Sequence, residues 1–92
     1  MILFNQFTPK RFMTKEELAE LMAVFAEVGT GPGNVLGHYI KADGSGAFNI
    51  VEIDDIDSVY RTTLEYLPFM DIESTPVLDI ESAVPQIADY LS

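Results

Sequence analysis

Residues 34–53 read NVLGHYIKADGSGAFNIVEI, two β-like runs at 34–41 and 47–53 separated by Asp43-Gly44-Ser45-Gly46. An Asp-Gly pair between β-favouring runs is a strong short-range signal for a hairpin, because glycine accepts the backbone angles a tight turn demands. Strict alternation places Leu36, His38 and Ile40 on one face of the first strand and Val35 and Tyr39 on the other. In the second strand Phe48 and Ile50 oppose Val51 and Ile53. A half-solvated antiparallel sheet alternates apolar with polar residues. Here apolar side chains occupy both faces, and that decides the architecture.

Outward from the hairpin, residues 2–7 form a β-like run carrying Phe4 and Phe7, closed by Thr8-Pro9. Thr14 and Glu17 make a capping box, in which hydroxyl and carboxylate satisfy amides left free at a helix start. Leu18, Leu21, Met22, Phe25 and Val28 then recur at helical spacing, and Gly29 with Gly31-Pro32-Gly33 ends the stretch. Downstream of the hairpin, Asp55 or Asp57 starts a second helix with Tyr60, Leu64 and Leu67 on one side, closed by Pro68. Residues 70–78 are a last strand with Ile72, Val77 and Leu78. A terminal helix follows Asp79, with Val84, Ile87 and Leu91 on one face and Pro85 tolerated close to its first turn.

The order is therefore βαββαβ with a helical tail, the arrangement of a ferredoxin-like α+β sandwich spanning residues 1–92 as one domain. Both main helices cover the same sheet face. The other face is apolar too, and a second copy of the chain is its simplest cover, so the expectation is a homodimer. A chain of 92 residues leaves only about 60–65% of its unfolded surface to bury, and small domains without disulfides often gain the rest by pairing.

Composition removes several chemistries. There is no cysteine, which excludes thiol nucleophiles, disulfides and iron–sulfur clusters and suits a cytoplasmic protein. The 15 acidic residues against five basic ones give a formal charge of −10, the wrong sign for displacing counterions from nucleic acid. No apolar run reaches the ~20 residues of a membrane helix. Lys10 and Arg11 follow the apolar start instead of preceding it, the reverse of a signal peptide. With one histidine and no cysteine, no metal site and no cofactor is expected. Asp54-Asp55-Ile56-Asp57 lacks the glycine turn and distal glutamate of a calcium loop and is read as helix capping. The glycine-rich stretch 29–33 follows a helix, whereas a phosphate cradle follows a strand and opens one.

Three motifs in order, Val35-Leu36-Gly37-His38-Tyr39, Gly46-Ala47-Phe48-Asn49-Ile50-Val51-Glu52 and Thr75-Pro76-Val77-Leu78-Asp79, resemble an uncharacterised family of small bacterial and phage-type proteins. The resemblance covers about residues 34–84 and implies membership of the dimeric α/β-barrel superfamily, hence fold and pairing, but no activity. A weaker likeness to muconolactone isomerases runs through Gly37-His38-Tyr39 and residues 67–73; no catalytic residue is carried over from it.

Two candidates for proton transfer remain. His38, the sole histidine, is read either as a packed, hydrogen-bonded side chain or as a general base in a pocket. Glu52 alternates with Phe48 and Ile50; it is either a desolvated acid with raised pKa or a solvated strand end. Asp71 and Glu73, two apart on a strand, are read as solvated. Tyr39, Asn49, Tyr60 and Tyr66 are candidates for lining a small-molecule pocket. The leading reading is a non-catalytic module that binds a small molecule or a protein; the alternative is a cofactor-independent, isomerase-like enzyme using His38 and Glu52. An enclosed pocket between sheet and helices, lined by His38, Glu52 and the tyrosines, separates the two; the enzyme reading fails if side chains fill that space.

Overall fold

The computed structural model describes residues 1–10 and 13–92; Arg11 lies outside them. In chain order the elements are β1 (Ile2–Pro9), α1 (Lys15–Val28), β2 (Asn34–Ile40), β3 (Ala47–Glu52), α2 (Asp57–Tyr66), β4 (Met70–Val77) and α3 (Ile80–Leu91). The strands make one antiparallel sheet in the order β2-β3-β1-β4, the ferredoxin-like arrangement. No helix among the described residues is long and apolar enough to cross a membrane.

Local chemistry explains most boundaries. The Thr14 hydroxyl accepts from the Glu17 amide at 3.1 Å, and the Glu17 carboxylate accepts from the Thr14 amide at 3.2 Å, so the capping box forms in full. In the β2–β3 turn Asp43 accepts from the Ser45 amide, and the Ser45 hydroxyl, with that amide second, holds the Asp43 carboxyl below its ordinary pKa. Asp55 accepts from the Asp57 amide at 3.0 Å in the turn ahead of α2, whose N-cap, Ile56, makes no side-chain cap, whereas Asp79 caps α3 by accepting from the Ser82 amide. Gly33 enters β2 at a φ of 106°, and any Cβ there would sit 2.7 Å from the Glu52 carbonyl oxygen. Only glycine lets β2 approach β3 so closely.

Three readings from sequence need correction. A bulge between Val35 and Gly37 shifts the alternation in β2, so Val35 shares the face of His38 and Ile40, and Leu36 does not. A bulge inserts one extra residue and thereby reverses the facing of everything before it. In α2, Tyr60, Leu64 and Leu67 are exposed; the side turned to the sheet carries Val59, Thr62, Thr63 and Tyr66. Threonine presents a methyl group as well as a hydroxyl, and counting it as polar inverted the helix. Pro85 lies in the second turn of α3, where it forfeits the bond its amide would have made to the Glu81 carbonyl.

The hydrophobic core is small. Leu3, Val51 and Ile53, with Val59 packed against them, form its centre, and Tyr66 and Met70 are the other buried apolar residues among those described. No residue of α1 or α3 is buried. The chain exposes 6846 Å², against about 5,300 Å² for a compact monomer of 10.2 kDa. Its radius of gyration is 15.9 Å, where about 12 Å is usual for this length.

Candidate functional site

Strand register builds the site. His38 of β2 lies across from Asn49 of β3, Asn49 from Asn5 of β1, and Asn5 from Ser74 of β4. Four polar residues from four strands thus form one continuous row over the helix-facing side of the sheet. Apolar rows flank it: Ile40, Ala47, Phe7 and Ile72 on one side, Val35, Val51, Leu3 and Pro76 on the other. The ends of the row, His38 and Ser74, reach solvent at the sheet edges. Its middle, Asn5 and Asn49, is buried to 6% and 3% exposure.

The two asparagines hold each other. Asn5 Nδ2 donates to Asn49 Oδ1 at 2.8 Å, while Asn5 Oδ1 is buried with no partner among the described residues. An unpaired buried carbonyl costs about 1–3 kcal/mol. A polar row at the level where the sheet should seal against its helices is thus a stability liability.

Above this row the helices stand off the sheet and leave a cavity of about 410 Å³. Leu21, Met22 and Phe25 of α1, Val59, Thr62, Thr63 and Tyr66 of α2, and Phe7, Met70 and Ile72 of the sheet wall it, with the polar row as floor. The Phe25 ring overhangs His38, centroids 6.0 Å apart. Among the described residues, none that lines the cavity is Lys, Arg, Asp or Glu. The volume and the mostly apolar wall with a few convergent polar groups match small-molecule sites, which run about 300–1,000 Å³.

Tyr66 sets the width of this space. Its hydroxyl donates to the Gly29 carbonyl, tying the end of α1 to α2. Burial, and secondarily the charge of Glu65, raise the Tyr66 pKa above that of a free phenol. A raised pKa means that the folded state keeps the phenolic proton more tightly than the unfolded one. That stability is complete below pH about 10 and is lost as pH climbs past it. Tyr66→Phe is expected to cost about 1 kcal/mol at pH 7 through the lost hydrogen bond. It should also flatten the fall in stability above pH 10, measured by urea unfolding of both proteins at each pH.

The candidates read from sequence separate cleanly. His38, Asn49 and Tyr66 meet at the cavity. Tyr39 borders it, but its ring lies on the opposite sheet face, 5.4 Å from that of Phe48. Tyr60 is 63% exposed and takes no part. Glu52 pairs with Ile2 and Asn34 on that opposite face and lines a second cavity, of about 300 Å³, with Pro32, Gly33 and Asn34. It is exposed and stands three residues along β3 from Asn49, roughly 10 Å away. His38 and Glu52 therefore do not form a proton-transfer pair. Asn5, Ser74, Thr62 and Thr63 were missed; the available signal was Asn5, a polar residue sharing a strand face with Leu3 and Phe7.

A family model described as a domain of unknown function, DUF3303, matches residues 6–91. The chain belongs to this family. The match takes in β1 from Gln6 through α3, including three of the four strands in full and every residue of the polar row but Asn5. No curated protein matches the DUF3303 chain described here.

Proposed function

We propose that this DUF3303 protein is a non-catalytic, cytoplasmic module that works as a homodimer and holds a small molecule between its sheet and helices. One observation carries the binding reading: four strands contribute one polar residue each to the floor of an apolar cavity, and the central oxygen, Asn5 Oδ1, is buried without a partner. Folding alone would favour apolar residues there, as in the two flanking rows. A bound group supplying the missing hydrogen bond accounts for their presence. The isomerase alternative required His38 and Glu52 to share a site, and their placement on opposite faces gives it no support.

Pairing is supported by area. The exposed surface exceeds that of a compact monomer by about 1,500 Å², and a standard interface takes about 800 Å² from each partner. The sheet face away from the helices carries a contiguous aromatic cluster of Phe4, Phe48 and Tyr39.

The binding reading is tested by following backbone amide shifts while 2-naphthol, a small neutral aromatic, is added to the labelled protein. Saturable shifts are expected around the polar row. Ala47→Phe, which directs a ring into the cavity between Phe7 and Ile40, should abolish them and leave the circular dichroism spectrum intact. Undiminished shifts in the folded variant would place the binding elsewhere and refute the reading.

A further inference from the structure

We infer that the molecule held in this cavity is uncharged, apolar over most of its body, and presents one hydrogen-bond donor, a hydroxyl or N–H, to the Asn5–Asn49 pair. This rests on the cavity reading above and narrows it to a chemical class.

The donor requirement comes from which amide atom is left buried without a partner among the described residues. Each asparagine offers one carbonyl oxygen and one NH2, and the single bond between them consumes one oxygen and one hydrogen. One carbonyl oxygen is left over, and it is the buried, unpartnered Asn5 Oδ1. In this orientation the floor presents a desolvated acceptor at mid-sheet, on a side chain carried by the central strand β1. A ligand without a donor leaves that oxygen unsatisfied, and a site built to pair a polar group discriminates strongly against analogues that lack it.

The requirement for neutrality comes from what the walls lack. Among the described residues an anion buried here would meet no lysine or arginine, inside a chain whose formal charge is −10, and a cation would meet no carboxylate. Burying an unpaired charge costs far more than burying a hydroxyl. At the two ends of the row Ser74 and His38 stand near solvent and tolerate a second polar group, so polarity in the ligand belongs at its middle or its tips.

Four naphthalenes of one size separate the possibilities at pH 7: 2-naphthol, 2-methoxynaphthalene, 2-naphthoate and protonated 2-naphthylmethylamine. Binding is read from the amide shifts of His38, Asn49 and Ser74. 2-Naphthol is expected to bind about tenfold or more tightly than each of the others, the order of one hydrogen bond in a desolvated site. Asn5→Leu combined with Asn49→Leu, which leaves no acceptor in the middle of the row, should remove its advantage over the methoxy compound. If any other probe equals 2-naphthol at these residues, the chemical class is overturned while the cavity stands as a binding site. If no probe moves them, the cavity reading falls and this inference with it. If the double variant keeps the preference, the anchor assigned here is wrong.

Discussion

Asn49→Leu is expected to destabilise the ligand-free protein by about 1–3 kcal/mol, and adding Asn5→Leu to the same chain is expected to recover that loss or exceed it. In the single variant Asn5 keeps its amide at 6% exposure but loses its only side-chain partner, so donor and acceptor are both buried unsatisfied. In the double variant no polar atom remains in the middle of the row. Two leucines then continue the apolar pattern of Leu3 and Val51 on one side and Phe7 and Ala47 on the other. A double-mutant cycle in urea should therefore show a coupling of opposite sign to the single effects. For a chain this short, each 1 kcal/mol corresponds to about 4–8 °C in Tm.

The same double variant should lose binding of 2-naphthol. More stability with less binding identifies residues retained for a ligand against the interest of the fold. If instead the double variant is less stable than Asn49→Leu alone, the asparagines serve packing, and the row is a structural device.

Much of this molecule was legible without coordinates, for physical reasons that differ from element to element. The capping box at Thr14 and Glu17, the Asp-Gly hairpin and the helix start at Asp79 are local devices, complete within four residues, and all three form as read. The sheet order follows from the βαββαβ sequence. What stayed hidden depends on partners distant in the chain. Asn5 and Asn49 are 44 residues apart, and only strand register brings them together. The bulge at Leu36 has no strong local signature, yet it reassigns Val35 to the cavity face. The inward side of α2 was misjudged because Thr62 and Thr63 face the sheet, where their methyl groups serve as wall. His38 and Glu52 were paired on residue chemistry alone. Tracing alternation through β3 separates them, since Asn49 and Glu52 are an odd number of residues apart.

In solution the chain is expected to scatter light as a particle of twice its 10.2 kDa mass, and its Tm is expected to rise with protein concentration. The reason lies in the surfaces it leaves bare. Ile80, Val84, Ile87 and Leu91 recur at spacings of four, three and four along α3, a single apolar stripe, and each is more than half exposed. On the far sheet face the Phe4 and Phe48 rings stand 5.6 Å apart with Tyr39 beside them, 58% exposed. A core centred on Leu3, Val51 and Ile53 is too small to hold 92 residues with a comfortable margin. Burial by a second copy would add the missing stabilisation, at about 25 cal/mol for each Å² of apolar surface covered. Phe48→Asp puts a charge at the centre of the aromatic cluster, where pairing would desolvate it. It should convert the particle to the mass of one chain, lower Tm by 10 °C or more given a cost of several kcal/mol, and abolish the concentration dependence. A wild-type chain that scatters as a monomer at micromolar concentration would refute the homodimer. A Phe48→Asp protein that still pairs would move the interface from the sheet to the exposed stripe of α3.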